Sequence, residues 1–266
     1  VRLIQEAARQ GDKDAACAWI DETVKTSKAN FKALLQQAGI DEPAVGFEGA
    51  LFGRFVTSDI LARVDAPVHV AHAFTTHALD TELDYFTVVD DLAEDETGAA
   101  HANDMELGGG VYYGYVVVDI PLLISNLTGC DPSDWRSQDK QDARELLRLL
   151  IYAIAQVTPG AKLGATAPYA RAESVVLEVG DAQPRSLANA FLKPVSTTNA
   201  HKTLMELSTA AMASYITSLE GMYGKDSTQR FVSTTSPDSW QRTEEQVVAL
   251  PEAVEESLRL ALGETL

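Results

Sequence analysis

The clearest alternation of apolar and polar positions falls in two short runs, Val68 to Phe74 and Val111 to Val118. Each predicts a half-buried β-strand, because successive side chains point to opposite faces. Between them lies a long insert. It opens with an apolar stretch, Leu83-Asp84-Tyr85-Phe86-Thr87-Val88-Val89, passes through an acidic segment from Asp90 to Asp104 that carries Gly, Ala and Asn, and closes at Gly108-Gly109-Gly110. That order predicts a long hairpin with β-rich arms and a turn-forming tip, projecting from a sheet. An outstretched arm that carries aromatic side chains is expected to reach a partner.

The remaining periods are mostly helical. Lys13 to Lys25 places Ala15, Ala16, Trp19, Ile20 and Val24 at spacings near three and four, and a second helix is expected from Asn30 to a stop at Gly39. Phe47 to Phe55 is expected as a strand interrupted by Gly49 and Gly53, glycines that mark a bulge or a close backbone approach. Pro121 to Leu127 is expected as a short helix closed by Gly129. Asp139 to Gln156 carries an apolar stripe of Ala143, Leu146, Leu147, Leu150, Ile151 and Ile154, with Arg144, Glu145 and Arg148 outward. Ser174 to Val179 predicts a strand, Ser186 to Phe191 a short helix capped by Ser186, and Leu204 to Met222 a long helix. Arg230 to Ser233 predicts an edge strand. Pro251 to Leu262 predicts a last helix, with proline in its first turn and Gly263 as terminator.

Composition narrows the function class. A chain of 266 residues with 45% hydrophobic content can bury a substantial core. No apolar run approaches the roughly 20 residues of a membrane span, and no signal peptide pattern is present, so a cytoplasmic protein is expected. Cys17 and Cys130 stand far apart without a motif and are expected as reduced thiols. The net charge of −18 argues against phosphate contact taken over the whole surface. The acidic residues cluster, at Asp90-Asp91, Glu94 to Glu96 and Glu252 to Glu256, which leaves other surfaces free to be basic.

Several ungapped blocks carry a family resemblance. They are Ala71-His72-Ala73-Phe74-Thr75-Thr76-His77, the run Asp84 to Leu92, Gly110-Val111-Tyr112-Tyr113, the run Gly53 to Ser58, the run Val157 to Lys162, and Ser186 to Phe191. In their order along the chain they resemble the CasC-type backbone subunit of Cascade, the type I-E CRISPR surveillance complex. The resemblance implies an α+β fold: an RRM-like (ferredoxin-like) antiparallel sheet core, the palm, with helical fingers and a protruding β-hairpin thumb. On this template residues 1–46 belong to the fingers, 47–78 to palm strands and a wedge loop, 79–109 to the thumb, and 110–266 to the rest of the palm with C-terminal helices. The family's front segment, a first strand with a Ser-Ser-Gln stretch followed by basic residues, has no counterpart here, and the chain is expected to lack it.

The resemblance also implies which residues touch nucleic acid. The counterpart of Phe86 sits on the thumb and wedges against the guide RNA where a nucleotide is displaced, with Tyr85 and Thr87 beside it. An aromatic wedge suits a protein that must coat any spacer, because every base has an apolar face. Phe55 is the second wedge, in a loop with Arg54, Val56, Thr57 and Ser58, where donors hold phosphates and the apolar side chain holds a base. Lys162 lies in a loop that faces the guide or a neighbouring subunit in the family. No cofactor is implied. The partners implied are CRISPR RNA, further copies in a head-to-tail filament, other Cascade subunits, and target DNA through the guide.

Two other readings stay open on the residues. His72, His77 and the Asp90-Asp91 pair, with His101, could serve a metal-dependent hydrolase, although their spacing matches no compact zinc pattern and His72 is expected to pack on the Val68/Val70/Phe74 face. There is no GxSxG, P-loop or HExxH motif, no catalytic constellation is visible, and the chain is not expected to be an enzyme. An acidic scaffold for a basic protein partner is the third reading.

Overall fold

In the computed structural model residues 46–55, 63–79, 81–88, 101–158, 167, 169–242 and 244–263 are described. The helices expected between Lys13 and Gly39 lie outside them. The chain divides into two compact units, Val1–His69 with Val117–Leu146, and Val70–Val116 with Leu147–Leu266.

In the first unit, Phe47–Phe52 is a six-residue α-helix, α1, where a strand is expected from the sequence. The four-residue spacing of Phe47, Leu51 and Phe55 is a helical period, and it outweighs Gly49. Ala50 and Leu51 are the buried face, and Gly53 ends the helix at φ 71°. Ile120–Thr128 forms α2, as expected. The Asp119 carboxylate accepts from Leu122 N–H at 3.0 Å, Pro121 occupies the first turn, and Gly129 stops the helix at φ 75°. Its buried face is Leu123 and Ile124, both fully buried. A 3-10 turn at Pro132–Ser137 buries Trp135.

Val68–Val70 (β1) pairs with Val116–Val118 (β6), and Phe74–Thr75 (β2) pairs antiparallel with Tyr112–Tyr113 (β5). Each alternating run therefore supplies two short strands with a break, where one continuous strand is expected. His72 lies beyond β1 and its side chain is exposed instead of packed; Val70, on the same expected face but inside the strand, is 68% exposed as well, so that face is not buried past Val68.

Thr81–Val88 (β3) and His101–Gly108 (β4) form the expected antiparallel pair, in unbroken register from Thr81 opposite Gly108 to Val88 opposite His101; residues His101 to Asp104, expected in the tip, are strand instead. Its root is built from Thr75-Thr76-His77. The Thr76 N–H donates to Val111 O at 2.9 Å, and the Val195 N–H donates to Thr76 O at 3.0 Å. Ser208 Oγ donates to Leu204 O at 2.7 Å. A hydroxyl has one proton, so the Thr76 hydroxyl is the donor in its 2.8 Å bond to Ser208 Oγ. The His77 ring is buried against Gly110. A Cβ at Gly110 would stand 2.3 Å from His77 Nε2, whereas one at Gly109 would meet nothing within 4 Å. Gly110→Ala is expected to cost about 2 kcal/mol by overpacking and Gly109→Ala well under about 1 kcal/mol, read by urea unfolding. Equal values for the two would show that the glycine run serves the turn and not the ring.

The rest of the second unit closes over a core of Tyr113, Leu187, Phe191, Ala213, Ile216, Val232 and Trp240. Phe74, Tyr113 and Phe191 pack as a triad of tilted and edge-to-face rings, with centroids 5.5 to 6.3 Å apart. The Tyr113 hydroxyl accepts from Leu187 N–H at 2.8 Å, and burial pushes its phenol up despite this bond and one to Ser186. Ser186 is not the cap expected of it: the element is a 3-10 turn at Ala188–Phe191 whose N-cap is Leu187, without a side-chain cap bond, and Ser186 Oγ accepts from Ala188 N–H at 3.2 Å as a local turn. Leu204–Tyr223 (α4) starts at a reciprocal cap between Thr203 and Glu206. The helix before it, Gln141–Gln156 (α3), spans the division between the units. It buries Ala143, Leu147 and Ala155, while Ile154, expected on the inner stripe, is 50% exposed.

Ser174–Val179 (β7) pairs antiparallel with Gln229–Thr234 (β8) over the whole length of both. In this two-stranded sheet Arg230 to Ser233 lies on an edge, as expected. Its other side is met at Val232 by an isolated bridge from Val247 and the bond from Val248 N–H to Val232 O. Leu250–Ala261 (α5) lies on this pair, with Ala253, Val254, Ser257 and Leu258 inward and Gly263 at φ 66° beyond its end. Four two-stranded sheets with helices make the α+β class read from the sequence.

Candidate nucleic-acid interface

Two features place the residues expected to contact nucleic acid. The first is the loop that begins at Gly53. Backbone bonds from Arg54 N–H to Val64 O, 2.8 Å, and from Val64 N–H to Arg54 O, 2.9 Å, close its base. The Asn126 amide on α2 donates to Ala50 O at 3.1 Å and to Asp65 O at 3.0 Å, tying both ends of the loop to one side chain. Arg54 is exposed. Phe55 is 73% exposed, with the Arg63 guanidinium 5.8 Å from its ring centroid. Arg63 also stands 3.5 Å from the Asp65 carboxylate, a pair too exposed to contribute much stability. Val56, Thr57 and Ser58 lie outside the described residues.

The loop depends on Gly53. Its φ of +71° is strained for any side chain, and a Cβ there would meet Val64 O at 2.6 Å and Ala66 N at 2.9 Å. Both obstacles are backbone and cannot swing aside. Gly53→Ala is expected to cost about 3 kcal/mol in urea unfolding, against less than about 1 kcal/mol for Gly46→Ala, which has open space. A Gly53→Ala protein as stable as its parent would mean that the loop base can be rearranged at little cost.

The second feature is the β3–β4 arm. Side chains from Thr81 to Tyr85 are exposed without alternation, Leu83 at 72% and Tyr85 at 69%. Both faces of this part of the arm therefore meet solvent. Phe86 and Thr87 hold register positions opposite Asn103 and Ala102; their side chains are outside the described residues. Glu82, Asp84, Asp104 and Glu106 are exposed beside Tyr85. An arm so acidic repels phosphate, so contact with a nucleic acid here has to come from ring faces on bases.

Lys162 lies outside the described residues, but both ends of its loop are tied. The Thr158 hydroxyl donates to Ala170 O at 2.6 Å and accepts from Ala170 N–H at 3.0 Å. The loop carrying Phe55 belongs to the first unit and the arm to the second. Sequence reasoning does not single out Arg63 or Asn126. Their signal is visible only once the loop closes, because Arg63 is eight residues from the ring it covers and Asn126 is more than sixty from the backbone it holds.

A model of one protein family, described as CT1975-like protein (Cas_CT1975), matches residues 1–258. The chain belongs to the CT1975-like protein family. The CasC-type resemblance in the sequence thus holds at the level of the family. No curated protein matches this CT1975-like chain significantly in sequence. Two solved structures are similar to it. One, "CRISPR RNA-guided surveillance complex, pre-nicking", is 23% identical with a TM-score of 0.67, over 85% of this chain and 64% of that one. The other, "CRISPR RNA-guided surveillance complex", is 26% identical with a TM-score of 0.66, over 86% of this chain and 82% of that one. The CT1975-like chain thus spans just under two thirds of the length of the first.

For the hydrolase reading, the His77 ring has neither nitrogen to spare: Nδ1 donates to Ala78 O at 2.7 Å and Nε2 accepts from Val111 N–H at 3.3 Å. His72 is exposed, and Asp90 and Asp91 are outside the described residues. Among the described residues no group of three or more His, Cys, Asp or Glu side chains could hold a metal ion. Among them, too, no helix is long and apolar enough to cross a membrane.

Proposed function

We propose that this chain is a non-catalytic CRISPR RNA-binding backbone subunit of a type I-E Cascade surveillance complex. Copies line up head to tail along the guide, and the β3–β4 arm acts as a thumb that kinks the RNA and leaves the intervening bases free to pair with invading DNA. The single observation that supports this most is the arm itself: an exposed antiparallel pair carrying Tyr85 and Phe86, in a chain of the CT1975-like family whose structural neighbours are RNA-guided surveillance complexes. Residues 79–109 form the thumb in this reading, 1–46 belong to the fingers, and 47–78 with 110–266 make an RRM-like palm. The contact residues are Arg54, Phe55, Val56, Thr57, Ser58, Tyr85, Phe86, Thr87 and Lys162. Base pairing reads sequence and the protein reads backbone and ring faces, which reconciles the net charge of −18 with a polyanionic partner.

The test is co-expression with a CRISPR RNA and the other surveillance-complex subunits in the cytoplasm of a host cell, followed by sizing. The expected result is a large particle with strong nucleic-acid absorbance that falls apart on ribonuclease treatment. A chain that elutes alone and free of RNA would end the reading. Stoichiometric metal in the purified protein would favour the hydrolase, and retention on a cation-coated surface without RNA affinity would favour the acidic scaffold.

A further inference from the structure

We propose that His77 is the positioning residue that aims the β3–β4 arm, and that it does so as the neutral Nδ1–H tautomer. The inference rests on the arm gripping RNA, as proposed above, and adds what sets its direction. The imidazole stands between the two places where the arm joins the second unit. On the entry side its Nδ1 lies 2.7 Å from Ala78 O, and on the exit side its Nε2 lies 3.3 Å from Val111 N. A carbonyl can only accept and a peptide N–H can only donate, so Nδ1 carries the proton and Nε2 the lone pair. Both bonds go to backbone, one to the segment that leads into β3 and one to the segment that leaves β4.

The surroundings hold the ring in that one pose. The Thr75 hydroxyl donates to His77 O at 2.9 Å. His77 itself forms a parallel bridge with Val195, and Thr76 is bonded to Val111, Val195 and Ser208. Gly110 supplies the space the ring occupies. Beyond this root the side chains of β3 are exposed from Thr81 to Tyr85. With those side chains in solvent, the course of the arm is set at its root. Without the imidazole the Val111 N–H loses its acceptor, and the root is left with the backbone bond from Thr76 N–H to Val111 O as its remaining described tie at Val111.

The test uses the full chain and has three arms. Long-range proton–nitrogen correlation on histidine-labelled protein is expected to show His77 with a pyrrole-type Nδ1 and a pyridine-type Nε2; an Nε2–H tautomer overturns the proposal without any variant. Spin labels at Glu106→Cys on β4 and Ser214→Cys on α4, with Cys17 and Cys130 replaced by Ser, report the direction of the arm. The distance distribution is expected to be narrow in the parent, broad in His77→Ala, and narrow again in His77→Gln, whose amide oxygen reaches the Nε2 position and accepts from Val111. A distribution equally narrow in His77→Ala overturns the aiming role. RNA retention in the co-expressed particle is expected to fall roughly tenfold in His77→Ala, the loss of about one buried hydrogen bond per copy, and to recover in His77→Gln. Full retention alongside a broadened distribution would sink the RNA-gripping reading while leaving the aiming role standing. Lost retention with an unchanged distribution would sink the aiming role.

Discussion

Arg230→Met is expected to destabilise the second unit by about 3 kcal/mol. Arg230 reaches from β8 to Glu178 on β7 at 2.8 Å, to Glu220 on α4 at 3.3 Å, and to Glu245. Arg242 binds Glu245 and Glu220 at 2.7 Å each and donates to the Thr217 hydroxyl at 2.7 Å. Arg185 completes the set, 3.3 Å from Glu178. The side chains of Arg230 and Arg242 are 4% exposed and that of Glu245 is 7% exposed. Desolvating so many charges consumes most of what their attraction returns, so the cluster contributes little net stability as a whole. Removing one guanidinium is different, because it strands carboxylates that are buried only by virtue of a partner. Methionine keeps the volume, so the loss reads the charge and not a cavity. At roughly 2–4 °C per kcal/mol for a unit of this size, the melting temperature should drop by about 6–12 °C. A drop under about 2 °C would mean that water reaches the carboxylates in place of Arg230.

The same cluster sets the acid limb of stability. Burial pushes the Glu245 carboxyl up, but the hydrogen bond from Arg242 and the charges of Arg230 and Arg242 outweigh it and hold the group below the ordinary carboxylate value. A carboxylate lowered by folding contributes stability that is complete above its unfolded value, about 4.3, and is lost as the pH falls through its folded one. The parent is therefore expected to weaken below about pH 4.3, and Arg230→Met, which has lost part of the cause, to weaken less steeply over the same range.

Phe55→Ala combined with Phe86→Ala is expected to cut retention of guide RNA by at least about tenfold while leaving the melting temperature within about 2 °C of the parent. Stacking of one base on one ring is worth about 1–3 kcal/mol by alanine substitution, and in the proposed filament the loss would recur in every copy. Phe55 at 73% exposure packs too little to matter for the fold. Tyr85→Ala, at 69% exposure, is the single-site comparison. Co-purified RNA measured by absorbance separates the outcomes, and unchanged retention in the double variant would count against both wedge assignments.

Legibility in the residues differs element by element. The arm is legible, because its strands, acidic tip and closing glycines lie within about forty consecutive residues and each strand pairs with its chain neighbour. Pro121 and Gly129 are legible too, since they mark the ends of their helix by chemistry that acts over one turn, whereas the Asp119 cap is added by the structure. Helix α1 reads as a strand only when its two glycines are given more weight than the four-residue period that they sit in. His72 is read as packed because alternation is taken to mean burial, whereas the face it shares with Val70 is already exposed within the three-residue strand. β8 reads as an edge and is one, but nothing near it in sequence announces the bridge from Val247 to Val232.

By itself, then, the order of residues determined the class of fold, the arm, the helix ends and the family. The first three follow from periodicity and from contacts within a turn or a hairpin, the last from blocks of residues kept in order. Only the tertiary structure decided that Gly110 makes room for His77, that Asn126 ties both ends of the Phe55 loop, and that Arg230 and Arg242 are buried instead of solvated. The physical reason is one of range. A side chain's period is set by its neighbours along the chain. The partner that satisfies a buried charge or ring nitrogen is brought from tens or hundreds of residues away by the closing of the core, and a charged residue reads the same in sequence whether that partner arrives or not.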